Sequence, residues 1–299
     1  MCELLGVVSN VPADLVFSFT GFALRGGQTG PHADGWGLSL YEGYFARTFL
    51  EPHPAFSSPL ARFLRENPIQ TGLAIAHIRK KTRGEPKIVN THPFVRVLHG
   101  RHLVFAHNGT LPSIRERPLK WQSTLGDTDS EHAFCVLLEE LRTAYGDRYP
   151  SDPYQLGKTL HELGNELGQD GVFNFLYADG ECLYARCGDN LSCILREPPF
   201  GSATLVDADV RVNLGDVMRE VPEARMAVIA TEPLTRDETW EKGQPGALWV
   251  FRAGERVLSF PGTASAQAVA NTWVNGQHKP QRPSVPPAAA AAQSSPPAR

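Results

Sequence analysis

Short apolar runs recur along the chain, separated by polar, glycine-rich stretches, and their period changes twice. Residues 3–9 form a compact apolar run that predicts a buried strand. Residues 12–24, PADLVFSFTGFAL, carry helical spacing with a proline near the start, and the polar RGGQTGPHADG that follows predicts a loop. GWGLSLY and YFARTF predict a pair of strands about Glu42 and Gly43, and residues 59–67 a short helix. TGLAIAHIR (71–79) and HLVFAHNG (102–109) are apolar runs that each end in a polar turn. DTDSEHAFCVLLEELRTAYG combines a capping Thr or Asp, a nearby acid and apolar residues at helical spacing, so it predicts a long helix. A second helix is expected over 154–167. Strands return with GVFNFLYA and ECLYAR about Asp179 and Gly180, then SATLV, RMAVIA and ALWVFRAGERVLSF.

Strands, a helical middle and strands again give no alternation of strand and helix of the kind a parallel doubly wound sheet requires. The expected class is α+β, with layered antiparallel sheets and outer helices. From about residue 261 the chain turns to Pro, Ala, Ser and Gln, and its last part lacks the apolar content to offset ordering. The expected organisation is one domain over residues 2–260 and a mostly disordered tail over 261–299, in which Trp273 and Val274 are the residues suited to docking on the body.

The formal net charge of −3 over 299 residues argues against nucleic acid or an anionic membrane as the partner of the whole protein. The apolar run at residues 4–8 is too short for a signal peptide and has no basic residues before it, and no segment approaches the length of a spanning helix. A cytoplasmic location is expected. The five cysteines, Cys2, Cys135, Cys182, Cys187 and Cys193, are odd in number and sparse, which suits a reducing compartment. The last three have a spacing that leaves zinc binding open, but the strand-like ECLYAR around them favours buried apolar thiols.

Candidate chemistry lies at the ends of the apolar runs. Cys2 follows the initiator methionine directly; removal of Met1 would leave a thiol and a free α-amine on one residue, a nucleophile with its own base. His77, Arg79 and Thr82 stand in AHIRKKT, His107, Asn108 and Gly109 in FAHNGT, and Asp127 and Asp129 in GDTDSE. A thiol attacking an amide generates an oxyanion, for which an Asn amide and a Gly N–H are suitable donors. An amino-acid substrate adds a carboxylate that suits an arginine fork and an ammonium that suits an aspartate. Taken singly, Arg79 reads equally as a surface arginine, HNG as a turn and DSE as a capping box.

Together the segments MCELLGV, RGGQTGPHADGWG, AHIRKKT, NTHPF, FAHNG and DTDSEHAF resemble, in order over residues 1–134, the class II or N-terminal-nucleophile glutamine amidotransferases. The resemblance is to stand-alone members related to the ergothioneine-pathway γ-glutamyl hydrolase and the glutathione-degradation amidotransferase subunit. It implies a four-layer αββα sandwich. It also implies Cys2 as nucleophile, Asn108 and Gly109 as the oxyanion-hole pair, Arg79 for the substrate carboxylate, Thr82 for the pocket lining and Asp129 for the α-ammonium. His92 and Pro93 correspond to a structural turn near the site, and Asp34, Gly35, Trp36 and Gly37 to the DGWG that shapes the pocket wall. His32, His77 and His107 are taken as supporting residues. Lys80 and Lys81 depart from the aromatic or small residues of many relatives, and fit either a solvated loop face or an anionic substrate.

The implied reaction is hydrolysis of the γ-amide of glutamine or of a γ-glutamyl derivative through a glutamyl thioester, with no metal and no cofactor. Larger relatives carry a synthase domain for which no room is expected after residue 260. Delivery of ammonia to a separate synthase subunit, and a non-catalytic scaffold, remain as alternatives.

Overall fold

A computed structural model describes residues 2–82, 84–217 and 221–263. In chain order it contains β1 (Glu3–Ala13), α1 (Val16–Leu24), β2 (Trp36–Glu42), β3 (Phe45–Glu51), α2 (Pro59–Glu66), β4 (Thr71–Ile78), β5 (Phe94–Leu98), β6 (Arg101–Thr110), α3 (Asp129–Tyr145) and α4 (Pro153–Leu167). There follow β7 (Val172–Ala178), β8 (Leu183–Arg186), β9 (Ser192–Arg196), β10 (Ser202–Thr204), β11 (Arg211–Asn213), β12 (Met226–Ala230), β13 (Glu241–Lys242), β14 (Leu248–Arg252) and β15 (Glu255–Phe260).

The helix starts are set locally. Ser58 caps α2 by accepting from the Ala61 N–H at 2.9 Å, and proline occupies the first turn. Thr128 caps α3 by accepting from the Glu131 N–H at 3.2 Å, and α3 ends at Gly146. Asp152 caps α4 through the Tyr154 N–H at 2.9 Å, again with proline following. The sequence places the start of α1 too early: residues up to Ala13 continue β1, and α1 opens at Val16, whose N–H donates to the Asp14 carboxylate at 3.0 Å.

Two antiparallel sheets carry the fold. One has seven strands in the order β13-β9-β12-β1-β4-β2-β3, the other six in the order β15-β14-β8-β7-β6-β5. The alternation of β1 shows the layering. Leu5 and Val7 face Phe19 and Phe22 of α1 and Leu64 of α2, whereas Leu4 and Val8 face Val104, Ala106 and Leu176 of the other sheet. On the far side of the second sheet, Phe105, Phe173 and Phe175 pack against Phe134, Leu137 and Leu138 of α3 and Leu156 and Leu160 of α4. The result is the expected αββα sandwich, with β1 buried on both faces.

Cys182 lies in the layer beneath α3 and α4, and Cys187 and Cys193 lie between the sheets, so these thiols are core residues on two sides of a sheet. No described helix is long and apolar enough to cross a membrane. The chain is still anchored at residue 263, where the Thr263 N–H donates to the Pro245 carbonyl at 3.0 Å. The stretch expected to be disordered lies, from residue 264 on and with Trp273 and Val274, outside the described residues.

Candidate active site

The site forms where β1 begins, β4 and β6 end and α3 begins. Glu3 pairs with Ile78, so one step further along the antiparallel ladder Cys2 meets the residues that follow β4. Its thiol is held by the backbone of Lys80, donating to the carbonyl and accepting from the N–H, both at 3.4 Å. Burial pushes the thiol pKa up to about 11; the Lys80 N–H and the Arg79 guanidinium act against that shift, and the Asp129 carboxylate adds to it. The same interactions put Arg79, just after β4, and Asp129, at the start of α3, within electrostatic reach of the sulfur. A thiol with a pKa this high is a poor nucleophile at neutral pH unless a base takes its proton.

Arg79 is buried, 3% exposed, at the end of β4. Its backbone N–H donates to the Gly35 carbonyl at 2.8 Å, and its carbonyl accepts from the Asp34 N–H at 3.1 Å. The Asp34 carboxylate accepts in turn from the Lys81 N–H at 2.9 Å. Asp34 and Gly35 therefore fix the path of the chain around Arg79. The guanidinium turns back over its own loop, donating to the carbonyls of Gly84 at 2.8 Å and Glu85 at 3.2 Å. Thr82 is exposed on this loop. Asp129 is the first residue of α3, and its carboxylate accepts from the Leu111 N–H at 2.8 Å.

Asn108 is fully buried on β6. Its side-chain N–H lies 3.4 Å from the Thr231 hydroxyl, a long contact, and its side-chain oxygen has no hydrogen-bond partner among the described residues. Thr231 ties this amide to the chain start: its hydroxyl accepts from the Leu4 N–H at 2.9 Å, and its own N–H donates to the Leu4 carbonyl at 3.2 Å. Gly109 has to be glycine, since a Cβ there would lie 1.8 Å from the Val172 carbonyl oxygen.

Three histidines form the floor. His77 Nε2 lies 3.2 Å from the His107 carbonyl oxygen, across the two sheets. His77 stacks on His92 at 4.1 Å between ring centroids, and His92 on Phe94 at 4.4 Å. His107 Nδ1 lies 2.8 Å from the Ser130 hydroxyl, joining β6 to the start of α3. Burial lowers the pKa of all three, that of His77 to about 3. His32 stands apart, with Nε2 3.9 Å from the Glu3 carboxylate.

Trp36 lies behind the wall that the DGWG stretch was expected to shape. It belongs to the layer between the first sheet and α1, with its ring 5.7 Å from that of Phe19 and its N–H donating to Glu51 at 3.0 Å. Alternation along β2 puts Trp36 opposite Ile78 and Gly37 opposite His77, so the indole supports the wall from behind.

Residues 1–273 match the profile of the class-II glutamine amidotransferases. The chain belongs to that family. YafJ of Escherichia coli K12, itself assigned by name to the glutamine amidotransferases, is 47% identical over 86% of this chain and 100% of its own length. A protein of Haemophilus influenzae with the same kind of name is 38% identical over 88% of each chain. A crystal structure of a predicted glutamine amidotransferase from Pseudomonas aeruginosa PA01 superposes with a TM-score of 0.66 at 36% identity, covering 86% of this chain and 100% of that one.

Other residues of this amidotransferase domain escaped the sequence reading. Thr231 sits just past β12, where a polar residue after an apolar strand is a weak signal. Asn174 had a stronger one, as a lone amide inside the apolar VFNFLYA. Its N–H donates to the Asn108 carbonyl at 3.1 Å, and its oxygen accepts from the N–H groups of Gly188, Asp189 and Asn190 at 2.7, 3.1 and 3.2 Å. It locks the strand that carries Asn108.

Proposed function

We propose that the chain hydrolyses the γ-amide of glutamine or of a γ-glutamyl derivative, with Cys2 as the nucleophile after removal of Met1. The observation that carries this reading is the seat of the Cys2 thiol on the Lys80 backbone at 3.4 Å, next to the buried Arg79, with the Asp129 carboxylate at the start of α3 close enough to act on the thiol's charge. A cation and an anion near a thiol match the two charged ends of a free amino acid whose side-chain amide is the electrophile.

In the processed chain the α-amine of Cys2, with an ordinary pKa of about 8, takes the thiol proton directly or through water. The sulfur bonds to the γ-carbonyl carbon, and the carbonyl electrons move to an oxyanion held by the Asn108 amide and the Gly109 N–H. Collapse expels the amide nitrogen, which receives the proton from the amine. Water then attacks the glutamyl thioester and releases glutamate and the Cys2 thiol. Arg79 and Asp129 hold the substrate's carboxylate and ammonium throughout. The orphaned oxygen of Asn108 and its long contact with Thr231 fit an amide whose orientation is completed by substrate.

The test is a release assay on purified full-length chain, offering L-glutamine, a panel of γ-glutamyl amides and a matched set lacking the α-amine or the α-carboxylate. The leaving ammonia or amine is followed for every substrate, since one that lacks a charged end yields no glutamate; release that requires both charged groups supports the reading. Release from none of the γ-glutamyl amides, or turnover indifferent to the charged ends, contradicts it.

A further inference from the structure

Arg79 follows β4 of one sheet and Asp129 opens α3, so something has to fix the distance between them. The side chain that spans this gap is Asn90, which none of the roles above includes. It is 1% exposed. Its Nδ2 donates to the Glu85 carbonyl at 3.0 Å, and its Oδ1 accepts from the Asp127 N–H at 3.0 Å. The Glu85 carbonyl is the acceptor that Arg79 Nη1 also uses, at 3.2 Å. One carbonyl thus receives the guanidinium from one side and the Asn90 amide from the other, and that amide reaches to within two residues of Asp129.

The junction is tight. Gly84, at φ +74°, is the point where the parts meet: a Cβ there would lie 2.6 Å from Asp127 Oδ1, 3.0 Å from Asn90 Nδ2 and 3.3 Å from Arg79 Nη2. The α3 side is pinned independently. Glu131 accepts from the N–H groups of Leu125 at 2.9 Å and Gly126 at 2.7 Å, so residues 125–129 lie between Glu131 and Asn90.

We propose that Asn90 is a positioning residue for amino-acid recognition, coupling the Arg79 loop to the start of α3 so that the carboxylate-binding and ammonium-binding groups keep a fixed separation. The inference rests on the amidohydrolase reading above. Only an amide fits both bonds: the Glu85 carbonyl needs a donor and the Asp127 N–H needs an acceptor. An aspartate of the same shape offers two acceptors and repels the Glu85 carbonyl.

The experiment compares full-length wild type, Asn90→Ala, Asn90→Asp and Gly84→Ala. Glutamate release by the wild type tests the amidohydrolase reading; the ratio of each variant to wild type tests the coupling. The expected result is a KM for L-glutamine raised about tenfold or more in each variant, with kcat within about threefold. The rate of Cys2 alkylation by iodoacetamide, which needs no amino-acid pocket, should match wild type. An unchanged KM in variants that fold overturns the proposal. So does a parallel loss of kcat and of iodoacetamide reactivity, which would make Asn90 a general structural residue. Should Asn90→Ala fail to fold, the isosteric Asn90→Asp and the loop-side Gly84→Ala decide on the same readouts.

Discussion

His77 Nε2 stands 3.2 Å from the His107 carbonyl oxygen, and this bond joins the two sheets beneath the nucleophile. His77 belongs to β4, which leads into Arg79, and His107 to β6, which continues into Asn108. The carbonyl can only accept, so Nε2 carries the ring proton. The bond therefore sets the strand proposed to grip substrate against the strand proposed to hold the oxyanion.

His77→Ala should cost about 2 kcal/mol of stability through the lost bond and the space left behind. It should also lower kcat more than it raises KM, because β6 is the element released. Urea denaturation and steady-state glutamate release measure the two effects; a kcat equal to wild type would remove the role assigned to this bond.

The three floor histidines make acid stability a test of the same packing. Their pKa values are lowered by burial, that of His77 to about 3, whereas an unfolded histidine titrates near about 6.5. The unfolded chain then binds protons that the native one refuses. Stability from these groups is complete above about pH 6.5 and falls as pH drops, by roughly 1.4 kcal/mol per pH unit for His77 and for His92, whose native pKa values lie well below the unfolded one. Glu3, whose pKa burial raises to about 7, works the other way between its unfolded value of 4.5 and 7, and offsets one of them. His92 has no hydrogen-bond partner on either ring nitrogen among the described residues, so His92→Phe should fold. Urea titrations at pH 5 and pH 6 should show a flatter slope for that variant by roughly 1.4 kcal/mol per pH unit; an unaltered slope would mean that His92 titrates normally in the native protein.

In the proposed mechanism, Asn108→Ala removes a donor to the developing oxyanion. The expected loss is about 10²–10³ in kcat with KM changed by less than about threefold. Single-turnover kinetics should locate the defect in thioester formation. A defect confined to KM would reassign Asn108 to substrate binding.

Much of this was legible in the sequence, for identifiable reasons. The long helix of α3 shows because Thr128, Glu131 and a run of apolar residues agree with one another. The strands before Arg79 and Asn108 show because each apolar run ends abruptly in polar residues. β5 went unpredicted because it buries only Phe94 and leaves Val97 exposed, so its five residues carry little apolar alternation; β9 went unpredicted as well. The DGWG match says which residues are present but not which face of β2 Trp36 uses, and that face is set by the register with β4. Asn90 and Thr231 stayed hidden because each acts through partners 37 and 227 residues away, a proximity that no local pattern encodes.

Everything assigned to this site depends on Cys2 standing first in the mature chain with its amine free. The direct measurement is intact-mass and peptide-mapping analysis of purified full-length protein before and after exposure to an electrophilic glutamine analogue. The expected result is a chain without Met1, carrying one adduct on Cys2, with L-glutamate protecting against labelling. A chain that keeps Met1 and yet reacts, or an adduct on Cys135, Cys182, Cys187 or Cys193 in place of Cys2, would contradict it.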